Sequence, residues 1–166
     1  VAADDRPFSA SVTLAHRRMG LIVPPGNPFS LKTLDDLARL KLRFVNRQPG
    51  SGTRVWLDAQ LRRLGVDAHA IQGYTLEKLT HTDVAHAIAE GQADVGLGLE
   101  GATQPYGLGF IPLIQERYDL VIPAEVIELP PLQALLTWLR QPQAQAAFAP
   151  FAGYETSPTG QLPWVS

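Results

Sequence analysis

The residues best suited to chemistry lie in one loop, residues 49–53, which carries two glycines and two hydroxyl side chains. An apolar run precedes this loop and an amphipathic segment follows it, which predicts a strand, a glycine loop and a helix. Such a loop directs backbone N–H groups and the positive end of a helix dipole outward, an arrangement that suits an anion. Ser51 and Thr53 add hydroxyl donors, and Arg47 and Arg54 add positive charge. Similar glycine turns often join a strand to a helix without binding anything, so the loop alone leaves both interpretations open.

A second glycine pattern has the spacing of the dinucleotide-binding fingerprint but lacks the helix that must follow it. Gly96, Gly98 and Gly101 reproduce G-x-G-x-x-G after a predicted strand, but Pro105 and Gly107 follow too soon for a crossover helix. The interpretation we favour is that these glycines allow close backbone approach at the end of the strand.

Motifs for catalysis and metal binding lack their essential partners. Ser51 has Pro49 where a nucleophile elbow needs glycine, and no lysine follows the loop as a phosphate-binding Walker loop requires. His81 and His86 are five residues apart, a spacing that does not place two zinc ligands on one helix face. The sequence therefore predicts a protein that is not an enzyme and has no cofactor or metal.

The composition is that of an ordinary folded protein, with 45% hydrophobic and 18% charged residues among 166. A net charge of -2 and the absence of a basic stripe argue against direct nucleic-acid binding by this segment. No apolar run approaches the length of a membrane span, so no membrane partner is predicted. The chain has no cysteine, which excludes disulfides but fits any compartment.

Helix, glycine and strand alternate twice along the chain, which predicts an α/β sheet with crossover helices. The tail, residues 155–166, is rich in Pro, Gly, Ser and Thr and is predicted to lie on the surface. The predicted strands are 12–23, 42–46, 71–74, 93–99, 110–114 and 120–123, and the predicted helices are 34–40 with Thr33 as its cap, the segment from the glycine loop to 64, 80–91, 132–139 and 143–151.

Six blocks of the sequence, taken together, resemble the periplasmic-binding-protein-like domain of the type II fold. They are NRQPGSGTR, Gly73-Tyr74, Thr80-His81, AIAEGQADVGLGLEGAT, FIPL and ERYDLVIP. The resemblance covers about residues 12–160. It is closest to the version fused to helix-turn-helix regulators or molybdopterin-biosynthesis proteins, which is related to molybdate and tungstate binding proteins. It implies an α/β fold of two lobes joined by crossing strands, with a small ligand held in the cleft.

The resemblance also implies a division of the chain. Residues 1–24 would be an N-terminal segment with the first crossover strand, residues 25–115 the second lobe with the ligand loop, and residues 116–166 the return crossover with C-terminal helices of the first lobe. The family has a further half-lobe before the position of Val12, so we expect a C-terminal portion with one complete lobe and part of the other. Its exposed first-lobe surface would favour a homodimer.

The ligand-binding residues follow from the loop chemistry together with the resemblance. One group belongs to the loop, a second group belongs to a helix N-terminus that would face the cleft, and one residue would lie at the hinge. A packed tyrosine without a binding role is the alternative for this last residue. The predicted ligand-binding residues are Arg47, Ser51, Gly52, Thr53 and Arg54 in the loop, Thr80, His81 and Thr82 at the second helix, and Tyr118 at the hinge.

The function these features predict is the sensing of a small anion by a transcriptional regulator or a molybdenum-cofactor-related protein. Molybdate or tungstate is the leading ligand, and a small organic anion also suits two nearby arginines. Closure of the lobes on the ligand would change the activity of an attached DNA-binding domain. The alternative is the solute-binding component of an ABC transporter for an oxyanion. A regulator would be cytoplasmic, and a transporter component periplasmic or extracytoplasmic.

Overall fold

The computed structural model describes residues 8–162 and 164–165, with side chains described for residues 10–162. The chain divides into two compact units. The central unit comprises Arg18–Ile114, and the terminal unit comprises the described residues before Arg18 together with those from Gln115 onward. Each unit has its own hydrophobic core.

Seven strands and five α-helices are present in the described residues, together with four short 3-10 turns. The strands are β1 (Phe8–Val23), β2 (Phe44–Arg47), β3 (Glu77–Lys78), β4 (Val95–Leu99), β5 (Gly109–Pro123), β6 (Tyr154–Glu155) and β7 (Trp164–Val165). The helices are α1 (Asp35–Arg39), α2 (Gly52–Leu64), α3 (His81–Ala89), α4 (Pro130–Leu139) and α5 (Pro142–Phe148), and the 3-10 turns are Ala68–Ala70, Glu100–Ala102, Gln104–Tyr106 and Ala124–Val126.

The sheet of the central unit has the strand order β3-β2-β4-β1-β5. Strand β2 runs parallel to both β3 and β4, and β1 runs antiparallel to β4. The carboxyl ends of β2, β3 and β4 therefore lie at one edge of the sheet, which we call the carboxyl edge.

Helices α2 and α3 cover opposite faces of this sheet because side chains alternate along a strand. Phe44 belongs to the hydrophobic cluster that includes Leu57 of α2, whereas the next residue, Val45, belongs to the cluster that includes Val84 of α3. Strands β2 and β4 are buried throughout, as expected for a sheet covered on both faces. The arrangement is the predicted α/β fold.

Gly96 allows α3 to lie close to β4. A Cβ atom at this position would lie 2.5 Å from Cγ1 of Val84 and 2.8 Å from Cγ1 of Val45. Strand β4 is followed by the 3-10 turns Glu100–Ala102 and Gln104–Tyr106 in place of a crossover helix. Both observations agree with close backbone approach and oppose dinucleotide binding at these glycines.

The terminal unit is built on the first part of β1. This strand lies next to β5 and also pairs with β6 and β7, through the register His16↔Glu155 and Ala10↔Val165. Helices α4 and α5 cover a core in which Val12 and Ile122 meet Leu139.

The prediction of a surface tail is wrong for part of residues 155–162. The Thr13 N–H donates to the Gln161 carbonyl (2.9 Å), and the Gly160 N–H donates to the Thr13 carbonyl (2.8 Å). Thr159 is only 5% exposed and its hydroxyl donates to the Leu14 carbonyl. The tail is held because β1 offers it backbone partners, which composition alone does not reveal. Residues 163 and 166 lie outside the described residues.

Three predicted strands also need correction. Residues 71–74 form a turn in which the Tyr74 N–H donates to the Ile71 carbonyl, and Gly73 has a φ of 83° that a strand does not use. The strands predicted at 110–114 and 120–123 are one continuous strand, β5, whose polar middle includes Glu116 paired with Arg17.

The predicted cap of α1 is also wrong. Helix α1 follows Leu34, which makes no side-chain cap bond, and Thr33 does not cap it. The Asp36 carboxylate instead accepts the N–H groups of Lys32 and Thr33. A carboxylate in the first turn of the helix thus accepts the N–H groups that a side-chain cap would leave to it.

Candidate functional site

The carboxyl edge of the central unit carries the beginnings of two helices. Strand β2 leads into α2 and strand β3 leads into α3, while the register pairs Arg47 with Lys78 at the ends of these parallel strands. The Gln48 N–H donates to the Lys78 carbonyl (3.1 Å), which holds the two exits together. Ligands of α/β sheets bind outside the carboxyl ends of the strands. The structure thus brings the predicted residues of 47–54 and 80–82 to the same edge.

The start of α2 has unused hydrogen-bond donors. Ser51 is the N-cap, and its Oγ accepts the Arg54 N–H at 3.2 Å, so its own hydroxyl hydrogen remains available to donate. No hydrogen bond within the described residues uses the N–H groups of Gly52 or Thr53. The first turn has no acidic residue to offset the helix dipole. The positive end of α2 is therefore open to an anion.

The start of α3 is already partly compensated. Thr80 and Asp83 form a capping box, with both hydrogen bonds at 3.0 Å. The hydrogen bond from the Thr80 side chain lowers the pKa of Asp83, so a carboxylate occupies the first turn. Thr80 and Thr82 are exposed, and half-buried His81 lies beside β4, where a Cβ at Gly98 would be 3.4 Å from its Nδ1. Helix α3 thus attracts an anion less strongly than α2 does.

Arg47 places a buried positive charge between these two helices. The residue is only 9% exposed, and its Nη2 donates to the Leu79 carbonyl at 2.8 Å. Burial lowers the pKa of Arg47, and the nearby charge of Asp83 opposes that shift. An arginine remains protonated in proteins, so this guanidinium is a fixed cation at the carboxyl edge.

The sequence predicts that Arg54 binds the ligand, but in the structure its guanidinium already donates hydrogen bonds to other groups of the protein. Its side chain is 12% exposed and donates to Asp58 (3.0 and 3.2 Å), the Tyr74 hydroxyl (3.2 Å), Glu77 (3.1 Å) and the Arg47 carbonyl (3.2 Å). The guanidinium also lies 4.3 Å from the centre of the Tyr74 ring. Burial alone would lower the pKa of Arg54, but the hydrogen bonds with Tyr74 and Glu77 raise it overall. Arg54 thus joins α2 to the ends of β2 and β3.

Sequence reasoning missed three partners in this network. Asp58 was visible as an i,i+4 partner of Arg54 on a helix. Tyr74 and Glu77 carried no such signal, since they lie 20 and 23 residues from Arg54 and meet it only through the fold.

Tyr118 belongs to the terminal unit. It is 43% exposed, and the Arg17 guanidinium lies 3.8 Å from the centre of its ring. Arg17 also pairs with Glu116 on the same strand as Tyr118. The tyrosine packs against a cation, and its predicted place at a hinge stays a prediction.

Residues 8–162 and 164–165 contain neither a metal-binding cluster nor a membrane-spanning helix. No group of three or more potential metal ligands lies close enough together there to hold an ion. None of the helices in this part of the chain is long and apolar enough to cross a bilayer.

Comparison with known sequences places the chain in a family. The family model for the PBP superfamily domain matches residues 4–140. The uncharacterized protein YvgK of Bacillus subtilis (strain 168) is 37% identical over 151 residues, which is 91% of this chain and 48% of YvgK. The chain thus spans about half the length of that relative.

Solved structures share the fold at low sequence identity. The Synechocystis PCC6803 CcmR regulatory domain in complex with 2-PG has a TM-score of 0.65 at 18% identity, over 83% of this chain and 68% of that one. A phosphate ABC transporter substrate-binding protein from Clostridium perfringens with bound phosphate has 0.63 at 14% identity, over 87% and 70%. The substrate-binding domain of a molybdenum ABC transporter from Clostridium difficile has 0.62 at 16% identity, over 88% and 66%.

The matched family and these neighbours are binding proteins, and the neighbours confirm the predicted periplasmic-binding-protein type II-like α/β fold. With most of its length matched by the family model, the chain belongs to the PBP superfamily as a ligand-binding domain.

Proposed function

We propose that this domain senses a small anion, as part of a transcriptional regulator or a molybdenum-cofactor-related protein, and that the anion binds at the start of α2. The observation that carries the proposal is the unused donor set at this helix. The N–H groups of Gly52 and Thr53 and the Ser51 hydroxyl lie at the positive end of α2, whose first turn has no acidic residue.

The chemistry of this donor set suits an oxyanion. Tetrahedral oxyanions accept hydrogen bonds from N–H and O–H groups, and a helix N-terminus adds a favourable field. Buried Arg47 adds a fixed positive charge at the same edge. Molybdate and tungstate fit this description, and so does the anionic group of a small organic molecule. Two structural neighbours are bound to 2-PG and to phosphate, and these ligands support an anion for this domain as well.

The predicted site residues divide into two roles in this proposal. Ser51, Gly52 and Thr53 contact the anion directly, whereas Arg54 positions the loop because its guanidinium already has protein partners. Thr80, His81 and Thr82 contribute from α3, with a weaker attraction owing to the Asp83 carboxylate. Tyr118 lies in the terminal unit, and its role in ligand binding stays a prediction.

A transporter component is the second candidate, because two structural neighbours belong to ABC transporters. The structural likeness to the regulatory domain of CcmR favours the sensor over the transporter component. A mobility-shift assay with the full-length protein distinguishes the regulator from the transporter component. Binding to DNA that depends on the anion supports the regulator, which would act in the cytoplasm, and opposes the periplasmic alternative.

The experiment that tests the site is an amide ¹H–¹⁵N titration of the chain with molybdate, tungstate, sulfate and phosphate. The amides of Gly52 and Thr53 should shift most and should saturate, because they donate to the anion. Chloride at matched ionic strength serves as the control, and Gly65 at the far end of α2 is the internal reference.

Each outcome bears on a separate part of the proposal. Saturable shifts at residues 51–53 support the site and identify the preferred oxyanion. Saturable shifts elsewhere retain an anion-binding function but refute this location. No saturable shift with any of the four anions refutes an inorganic oxyanion as the ligand.

A further inference from the structure

A cavity of about 320 Å³ lies in the central unit, beside the second half of α2, and the proposed function does not use it. The last turns of α2, the segment that follows this helix and the side chain of Tyr74 form its walls. Pockets that hold small organic molecules begin at about 300 Å³. We call this feature the α2 cavity.

Part of the lining of the α2 cavity is apolar. Leu61 is 2% exposed and belongs to the hydrophobic cluster that includes Phe44, and Val66 and Ala68 pack against the same cluster. The backbone here is fixed, because Gly65 ends α2 with a φ of 69° and the Val66 N–H donates to the Leu61 carbonyl at 2.9 Å. The apolar lining is therefore preformed and can contact a hydrocarbon group.

Two opposite charges at the α2 cavity have bonding capacity left. The Arg62 side chain makes no hydrogen bond or ion pair within the described part of the chain. Asp67 caps the 3-10 turn Ala68–Ala70 through Oδ1, which accepts the His69 N–H at 2.9 Å, while its Oδ2 accepts no hydrogen bond from a described residue. This backbone hydrogen bond lowers the pKa of Asp67, so the carboxylate is ionised at neutral pH.

The other two polar groups considered at the α2 cavity are already engaged. The Tyr74 hydroxyl donates to Asp58, and Nε of Arg54 donates to both of them. Asp58 therefore has its positive partner within the protein. The charges that remain for a ligand are one cation, Arg62, and one anion, Asp67.

We propose that the α2 cavity binds a small zwitterion, an α-amino acid with an apolar side chain, as a ligand separate from the anion at the start of α2. The ligand carboxylate accepts from Arg62, its ammonium group donates to Asp67, and its side chain lies against the apolar lining. The argument is charge complementarity: one cation and one anion beside an apolar surface match a ligand that carries both charges and a hydrocarbon group. A simple carboxylate or a simple amine leaves one of the two charges without a partner.

The test is an amide ¹H–¹⁵N titration of the chain with L-leucine and two analogues. The first analogue, 4-methylpentanoate, lacks the ammonium group, and the second, 3-methylbutylamine, lacks the carboxylate. Leucine should give saturable shifts at residues 66–69. Each analogue should bind about tenfold more weakly or worse, because it loses a charge-assisted hydrogen bond. The amides of residues 51–53 report the anion site separately, so failure of this proposal and failure of the proposed function give different results.

Three variants assign the effect to the two charges. Arg62→Gln and Asp67→Asn should each weaken leucine binding by about tenfold, and asparagine retains the cap of the 3-10 turn. Arg63→Gln is the matched control, since Arg63 is the next residue of α2 and does not line the cavity. It should bind leucine as wild type does, within about twofold.

Three results would overturn the proposal. Without a saturable shift at residues 66–69, leucine does not occupy the α2 cavity. If both analogues bind as tightly as leucine, the cavity does not recognise a zwitterion. If Arg62→Gln binds leucine like wild type, or no more weakly than Arg63→Gln, the Arg62 charge does not hold the ligand.

Discussion

Replacing Arg54 by alanine should destabilise the central unit by more than its position in the sequence suggests. The guanidinium holds α2 to the ends of β2 and β3 through Asp58, Tyr74, Glu77 and the Arg47 carbonyl. The substitution leaves two carboxylates, a hydroxyl and a carbonyl without their cationic partner. It also removes the contact with the Tyr74 ring.

The magnitude follows from the burial of each partner. Breaking a fully buried ion pair costs about 3–5 kcal/mol. Arg54 is 12% exposed, but the side chains of Asp58 and Glu77 are 32% and 35% exposed, so water compensates part of the loss. We expect a loss of about 2 kcal/mol in the free energy of unfolding. For a chain of this length such a loss lowers Tm by about 4–8 °C.

Thermal unfolding followed by circular dichroism measures this effect, with Arg63→Ala as the matched control. Arg63 lies on the same helix, is exposed and makes no ion pair within the described residues, so its removal should cost less than about 0.5 kcal/mol. If Arg54→Ala and Arg63→Ala unfold at the same temperature, the guanidinium network does not stabilise the loop, and the positioning role of Arg54 is refuted.

Two further predictions concern the stability of the central unit. Hydrogen bonds from Arg43 lower the pKa of Asp94 below its usual 3.8, so its contribution is complete above pH 3.8 and is lost as the pH falls through the folded-state value. Wild type should therefore lose more stability than Asp94→Asn between pH 5 and pH 3 in urea titrations, and equal losses would contradict the pairing. Gly96→Ala should cost about 1–3 kcal/mol, because its methyl group would lie 2.5 Å from Val84 and 2.8 Å from Val45; a variant as stable as wild type would show that α3 moves aside freely.

The fold was predictable from the sequence wherever local signals agreed with the tertiary structure. The glycine loop after β2 and the stop at Gly65 predicted the extent of α2, and both are local features. The alternation of helix, glycine and strand predicted the α/β sheet. The strand predicted at residues 71–74 is wrong because Ile71 is buried within a turn, and a buried apolar residue in a turn gives the same local signal as a short strand.

The candidate site was predictable only as a set of residue types. Sequence placed residues 47–54 and 80–82 near helix starts, and the parallel pairing of β2 with β3 brings those starts to one edge. What Arg54 contacts was not predictable, because Tyr74 and Glu77 approach it through long-range folding. The exposure of Leu79 was also hidden, since a leucine in sequence reads as a core residue.

The central claim is that a backbone donor at the start of α2 binds the anion, and one pair of variants isolates that donor. Gly52 is the first residue of α2, where proline is tolerated, and Ser51 has φ -70° and ψ 143°, which a following proline accepts. Gly52→Pro therefore removes the N–H with the helix intact, whereas Gly52→Ala keeps it and places a methyl group where no atom lies within 4 Å.

Isothermal titration of both variants with the oxyanion that binds wild type most tightly gives the direct test. A hydrogen bond to a charged group contributes about 1.5–3 kcal/mol, so Gly52→Pro should weaken binding by about 10-fold to 100-fold relative to Gly52→Ala. Gly52→Ala should match wild type within about twofold. Equal affinities of the proline and alanine variants would contradict the account, because the anion would then not be held by the start of α2.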